Sequence, residues 1–150
     1  MTDRSLRRAA AIVALAGLAV AGYLTWVHFD DAALVCVAGG GCETVQESAY
    51  AEIAGIPVAM LGLGAYAIVL GLIAWDTPGA RLGAAMLAVV GLLFSMYLLA
   101  LQLFVIDAVC AWCLANDVVI APVLAFLTAL RLRSWEPDGA PSVRPDRGSP

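Results

Sequence analysis

The chain has 150 residues, of which 63% are hydrophobic and 13% charged, and its mean hydropathy is +0.92. These values exclude an ordinary soluble domain and predict a single integral membrane domain. The formal net charge is −4, and the sequence has no basic patch of the kind that indicates a nucleic-acid partner.

Four apolar segments are long enough to cross a hydrocarbon core of about 30 Å as helices, at about 1.5 Å per residue. They cover residues 9–27, 56–75, 82–106 and 113–130. Because a bilayer offers no water to open backbone groups, helices are the expected form. The sequence therefore predicts an all-α integral membrane fold, a four-helix transmembrane bundle over residues 1–133. The remaining residues, 134–150, include four prolines and two glycines and predict a disordered cytoplasmic tail.

The eight basic residues are all arginines, and they fall on one side of this four-span topology. Three precede the first span, Arg81 lies between the second and third, and four follow the fourth. The positive-inside rule places that side, with both termini, in the cytoplasm. A cleaved signal peptide ending near residues 19–21 is the alternative, but the apolar run continues to Trp26, beyond the usual length of a signal core.

One long external loop, residues 30–55, follows the first span. In it, Cys36 and Cys42 are separated by five residues, three of them glycine. Such a link is pliable, so the two sulfur atoms can reach disulfide distance and one cysteine can also leave its partner. Apolar residues at helical spacing then predict a short amphipathic helix over residues 43–54, lying on the membrane and ended by Gly55.

A Cys-x-x-Cys motif, Cys110-Ala-Trp-Cys113, opens the fourth span. The start of a helix offers unpaired N–H groups and a partial positive charge, which stabilise a thiolate. All four cysteines fall on the outer face, where an oxidising compartment lets disulfides persist. The favoured interpretation is two communicating redox pairs. Two structural disulfides and a four-cysteine zinc site are the alternatives.

Thiol–disulfide exchange would carry electrons from the exposed loop pair to the helix pair. Cys113 lies deeper than Cys110, so its electrons need a membrane-soluble acceptor such as a quinone. Asp117 follows about one turn below Cys113, where a carboxylate is costly unless it faces the bundle interior or water. Asp117 is therefore either an interfacial residue or a proton donor or hydrogen-bond partner for a quinone. Gln102 is a second candidate for that role.

The order of these features resembles the bacterial branch of the vitamin K epoxide reductase family. The resemblance covers residues 9–130 and rests on the loop pair Cys36 and Cys42, then Ser48, then Gly-Ile-Pro at 55–57, then Cys110 and Cys113 at the start of the fourth span. DsbB-type proteins carry out similar chemistry on four helices. Their Cys-x-x-Cys comes early and their looser pair late, which is the opposite order.

The resemblance implies a quinone-dependent thiol oxidoreductase that supports disulfide formation in exported proteins. It also implies a bacterial inner (plasma) membrane location, with the redox cysteines on the outer face. Cys113 would form the thiolate adduct or charge-transfer pair with the quinone, menaquinone or ubiquinone, and Cys110 would exchange with the loop pair. Ser48 matches the serine of the loop helix that shields the site in the family, and Tyr50 falls where the family often has an aromatic residue. With Cys113, and with Asp117 on the ground of its own position in the fourth span, they are the predicted quinone contacts.

Many bacterial members carry a fused thioredoxin-like domain, whereas this chain stops soon after the fourth span. The resemblance therefore implies that the dithiol partner is a separate, periplasmic, DsbA-like protein of thioredoxin fold. Members also often have proline inside the Cys-x-x-Cys, where this chain has Ala111. Reduction of a quinone or its epoxide for quinone recycling is a variant within the family. A non-catalytic membrane assembly or metal-binding protein is the alternative outside it.

Overall fold

A computed structural model of the chain describes residues 2–30, 35–36 and 41–134. The elements are, in chain order, α1 (Asp3–Asp30), α2 (Cys42–Gln46), β1 (Glu52–Ile53), β2 (Ile56–Pro57), α3 (Val58–Trp75), α4 (Pro78–Leu101), α5 (Ala111–Ala115) and α6 (Ala121–Arg133). A π-helical turn, Gln102–Ile106, continues α4, and a second one, Asn116–Ile120, joins α5 to α6.

Four helical segments in the described part of the chain are long and apolar enough to cross a membrane. They are α1, α3, the segment Pro78–Ile106, and the segment Ala111–Arg133. The predicted fold class, an all-α bundle of four long apolar helices, is confirmed. The observed helices run somewhat past most of the predicted ends, because the polar residues that flank an apolar span can continue its helix.

The closest packing lies in the half of the bundle that contains the arginine-rich helix ends. Buried residues of α1 recur every three or four positions and are mostly small: Leu6, Ala10, Ala14, Gly17, Ala21 and Leu24. Small side chains let helix backbones approach closely, which drives association where lipid is as apolar as the core. Ala10 and Ala14 pack in one cluster with Val69, Ile73 and Leu124, so α1, α3 and α6 meet there.

The external loop departs from its prediction. A short helix is present, but α2 ends at Gln46 rather than at residue 54, so the predicted extent is wrong. The chain turns instead into the two-stranded ladder, where Ile53 pairs with Ile56. Ala54 and Gly55 between them have φ values of 53° and 78°, as a two-residue hairpin turn requires. Gly55 thus forms a hairpin turn, and that local geometry overrides the helical spacing of the apolar residues.

Two further predictions fall on residues outside the described part of the chain. The pliable link between the loop cysteines corresponds to residues 37–40 and Gly41, of which only Gly41 is described. The predicted tail, residues 134–150, is described only at Ser134, just after α6.

Charged side chains join three helix ends on the arginine-rich side, in a group that we call the arginine clasp: Asp3, Arg7, Asp76, Arg81 and Arg131. Asp76 Oδ1 accepts hydrogen bonds from Arg81 Nε at 2.8 Å and from an Arg131 terminal nitrogen at 2.6 Å. Arg7 lies 3.4 Å from the other carboxylate oxygen. Arg81 also donates to both oxygens of Asp3, at 3.1 and 3.0 Å. The clasp therefore ties the start of α1 and the α3–α4 turn to the end of α6.

The clasp depends most on Asp76. Partial burial would raise the pKa of its carboxyl, but the hydrogen bond from Arg81 and the charges of Arg131, Arg81 and Arg7 outweigh burial and hold the pKa below its ordinary value. The Arg131 side chain is only 2% exposed, and its Nε has no hydrogen-bond partner among the described residues. A buried guanidinium that lost Asp76 would be left with little compensation.

We therefore expect Asp76→Asn to destabilise the folded bundle by about 2 kcal/mol at neutral pH, because it leaves Arg131 buried with a neutral neighbour. Asparagine keeps the left-handed backbone found at position 76 (φ 50°), so the effect reports charge rather than conformation. The measurement is thermal unfolding of the purified protein in detergent.

The pKa of Asp76 also predicts how the stability of the bundle depends on pH. The folded-state pKa of Asp76 lies below the ordinary value of 3.8, so its stabilisation is present at neutral pH and is lost as the pH falls below about 4. The difference in unfolding free energy between wild type and Asp76→Asn should therefore become smaller as the pH falls below about 4. Asp107→Asn is the matched control, because Asp107 is exposed and also left-handed, at φ 52°. An equal loss of thermal stability in Asp76→Asn and Asp107→Asn would contradict a stabilising role for the clasp.

Candidate functional site

The Cys-x-x-Cys motif lies at the start of the fourth span, as its sequence position predicts. Cys110 is the N-cap residue of α5, and its Sγ accepts a hydrogen bond from the Cys113 backbone N–H at 3.4 Å. Both thiols are free in this structure; Cys110 is fully buried, whereas Cys113 is partly exposed. The two cysteines therefore lie one helical turn apart, with their functional groups in mutual reach.

The environment of Cys110 favours its thiolate form. A hydrogen bond from the Cys113 side chain is the largest influence, and it acts against burial, which favours the neutral thiol. Backbone N–H groups of Cys113 and Trp112 also favour the thiolate, while the nearby charge of Asp117 opposes it. Together they lower the pKa of Cys110 below that of an ordinary cysteine, which favours the nucleophilic thiolate.

Polar side chains form a buried group next to the cysteine pair. Gln102 accepts a hydrogen bond from the Cys110 backbone N–H at 3.0 Å, and its amide donates to Asp117 Oδ2 at 3.4 Å. Gln102 begins the π-helical turn after α4, and Asp117 belongs to the π-helical turn between α5 and α6. A π-helical turn locally widens a helix and often occurs at functional sites. Here two such turns bring an amide and a carboxylate together.

Asp117 is 2% exposed, so the structure places this carboxyl group inside the bundle rather than at its surface. Its second oxygen accepts a hydrogen bond from Asn116 at 3.1 Å. The amide of Asn116 also reaches Ser95 Oγ at 3.4 Å, and its carbonyl oxygen accepts from the Tyr66 hydroxyl at 2.6 Å. The carboxyl group therefore belongs to a hydrogen-bonded set contributed by three helices, which offsets the cost of its burial.

A cavity of about 410 Å³ opens beside this polar group. Most of its wall is apolar, from α1, α3, α4 and the fourth span. The residues predicted to contact a quinone all line it: Ser48, Tyr50, Cys113 and Asp117. Gln102 and Tyr66 line it as well. The structure thus brings residues from four separate stretches of sequence to one cavity that has an apolar body and a polar end.

The two loop residues predicted as quinone contacts, Ser48 and Tyr50, have different surroundings in this wall. Ser48 is half-buried, and its hydroxyl donates to the Val45 carbonyl oxygen at 2.7 Å, so it helps to close the chain after α2. Tyr50 is 45% exposed and lies at the edge of the cavity. The loop therefore covers part of the cavity, and the Ser48 hydrogen bond helps to set the shape of the loop there.

The loop cysteines form a disulfide bond, Cys36–Cys42. Cys42, the first residue of α2, is fully buried. Gly41 just before it packs on the backbone of Val109; a Cβ atom added at Gly41 would lie 2.8 Å from the Val109 oxygen and 2.9 Å from its nitrogen. Because Val109 immediately precedes Cys110, this close approach brings the chain at Cys42 next to the chain at Cys110.

Several residues of this site were missed by sequence reasoning. Tyr66 has no predicted role, although its hydroxyl in an apolar span needs a hydrogen-bond partner. Trp112 inside the motif received no role, and Gly41 was interpreted only as a flexible link. The positions of Gln102 and Asn116, amides within apolar spans, were the available signal.

Among the described residues, no group of three or more His, Cys, Asp and Glu side chains is arranged to hold a metal ion. A model of the vitamin K epoxide reductase family matches residues 8–128, a segment that contains all four cysteines and the whole wall of the cavity.

Proposed function

The chain belongs to the vitamin K epoxide reductase family, and from this premise we propose that it passes electrons from a separate thioredoxin-fold protein through Cys36 and Cys42 to Cys110 and Cys113, and on to a quinone. Family membership implies a quinone-linked thiol oxidoreductase. The observation that carries the finer proposal is the position of Cys113, which lines an apolar cavity while its partner Cys110 adjoins the loop disulfide.

The order of thiol–disulfide exchange between the two pairs follows from which cysteines lie next to each other. Cys42 and Cys110 are both fully buried, and the residues just before them are in backbone contact. In the forward direction, the reduced loop attacks an oxidised helix pair: Cys42 Sγ bonds to Cys110 Sγ, and Cys113 leaves as a thiolate. Cys36 then attacks Cys42, which restores the loop disulfide and releases Cys110 as a thiolate. The structure, with an oxidised loop and a reduced helix pair, corresponds to the end of this exchange.

The cavity fits a quinone, because its apolar body suits an isoprenoid-substituted ring and its polar end offers hydrogen bonds to ring oxygens. A bound quinone supplies the acceptor for two electrons and two protons. On the protein side, Cys113 lines the cavity. Asp117 lies in the same wall, in contact with Gln102 and Asn116, where it can hold a proton for transfer. Tyr66 and Asn116 orient one another and fix the polar end of the cavity.

We place this activity in a bacterial inner membrane, with the cysteines on its outer face. Three arginines of the clasp lie at the opposite end of the bundle from the cysteine pairs, as the positive-inside rule requires for that orientation. On the outer face, the loop disulfide is reachable by a DsbA-like protein, which the oxidised loop would return to its disulfide form. The cell would thereby support disulfide formation in exported proteins. Menaquinone and ubiquinone share the chemistry that the cavity accepts.

The central test assigns a different failure to each cysteine pair. Cys113→Ser should stop reduction of a short-chain quinone analogue with either reduced thioredoxin or dithiothreitol as electron donor. It should also let a disulfide between Cys110 and the loop form in equilibrium with the loop disulfide, because Cys113 can no longer displace the loop from Cys110 and only Cys36 can reverse the bond. Cys36→Ser and Cys42→Ser should block the thioredoxin-driven reaction, whereas dithiothreitol, which is small enough to reach the helix pair, should partly restore it. Quinone absorbance follows each reaction.

Near-normal turnover of Cys113→Ser with either donor would show that the relay is wrong. So would full thioredoxin-driven activity in both loop variants, because the loop would then not lie on the path of the electrons.

Asp117→Asn should slow quinone reduction by roughly 100-fold, the scale of a lost general acid, because asparagine keeps the shape but holds no transferable proton. Reduction of the loop disulfide by thioredoxin, measured by thiol alkylation and mass spectrometry, should stay unchanged. Turnover equal to wild type at every pH would leave Asp117 with only a packing role.

Orientation is tested with single cysteines in a background in which the four native cysteines are serine. A cysteine at exposed Ala49 should react with a membrane-impermeant maleimide in intact cells, and one at exposed Gly79 should react only after the membrane is permeabilised. Labelling of the Gly79 variant in intact cells would contradict termini inside and cysteines outside.

A further inference from the structure

Trp112, between the two cysteines of the motif, binds the loop arm that carries Cys36. Its indole Nε1 donates a hydrogen bond to the Val35 carbonyl oxygen at 2.9 Å. The Val35 backbone N–H donates in turn to the Tyr23 hydroxyl at 3.2 Å. The rings of Tyr23 and Trp112 also pack together, with centroids 5.3 Å apart and planes at 57°. Both backbone groups of the residue before Cys36 are therefore engaged by one aromatic pair.

We propose that Tyr23 and Trp112 form a latch that holds the Cys36 arm in place, so that Cys36 stays within reach of Cys42 when their disulfide opens. In this role the two side chains act through Val35, so they are positioning residues. The inference rests on the proposed exchange between Cys42 and Cys110 and adds a device that controls it.

The latch complements the contact on the other arm of the loop. Gly41 fixes Cys42 against the backbone at Val109, and Trp112 fixes Val35 from the same short stretch of chain. Both arms are thus positioned from the segment that carries the second cysteine pair.

The latch affects the mixed disulfide that joins the two cysteine pairs. When the Cys110 thiolate attacks Cys42 Sγ, the Cys42–Cys110 bond forms, the Cys36–Cys42 bond breaks, and the electron pair leaves on Cys36 Sγ, which then takes up a proton. In the reverse step, Cys36 attacks Cys42 and expels Cys110. An anchored arm raises the effective concentration of Cys36 at Cys42, so the latch shifts this equilibrium toward the loop disulfide.

The test uses Cys113→Ser, in which this equilibrium can be measured without quinone or protein partner. The protein is alkylated at equilibrium, and peptide mass spectrometry gives the ratio of Cys42–Cys110 to Cys36–Cys42 disulfide. Adding Trp112→Phe removes the indole hydrogen bond but retains an aromatic ring. Adding Tyr23→Phe removes only the acceptor for Val35. Each added substitution should raise this ratio by roughly 5-fold, which is the change expected from the loss of one hydrogen bond of typical net strength.

Trp75→Phe, at an exposed tryptophan on α3, is the matched control and should leave the ratio unchanged. Ratios for both latch variants within 2-fold of the Cys113→Ser parent would overturn the latch, as would a Cys36–Cys110 disulfide in place of Cys42–Cys110. Failure of the quinone assay in wild type would instead count against the proposed function, because the disulfide ratio requires neither donor nor acceptor.

Discussion

Polar groups inside a membrane-spanning bundle must find their partners within the protein, and much of this structure depends on that constraint. Asp117 is nearly inaccessible to solvent, and its two oxygens accept hydrogen bonds from Gln102 and Asn116. Asn116 accepts a hydrogen bond in turn from the Tyr66 hydroxyl. Gln102 and Tyr66 come from other segments than Asp117 and Asn116, so the full set of hydrogen bonds forms only when the helices are assembled in this arrangement. The same requirement leaves a polar end on an otherwise apolar cavity, which is what a quinone site needs.

The bundle is organised unequally along its length. Small residues and the arginine clasp pack the helix ends on one side, whereas the side with the cysteines holds the cavity and π-helical turns. Close packing at one end fixes the relative positions of the helices. Space for a ligand can then exist at the other end without loss of the fold. The cysteine pairs and the closest helix packing therefore lie at different ends of the same helices.

The fold was predictable from sequence because its signals are local and strong: long apolar runs with arginines at their ends. The site was predictable in part. The cysteines, Ser48, Tyr50 and Asp117 were all singled out, yet their meeting at one cavity depends on contacts between distant segments. The predicted helix through residue 54 was wrong because positive φ at Ala54 and Gly55 sets a hairpin turn, which periodicity does not reveal. Gly41 was attributed to flexibility, whereas its role is to permit backbone contact with Val109.

Gly17 shows how far the influence on this site extends. A Cβ atom at Gly17 would overlap the ring of Tyr66, so the missing side chain on α1 is what lets that ring lie against the helix. Tyr66 in turn orients the amide beside the buried carboxyl group. The polarity of the cavity is therefore adjustable from a position that contributes no polar atom to it. For protein engineering, a larger residue at Gly17 would displace the Tyr66 ring by a change of volume alone, in a helix that carries none of the four cysteines.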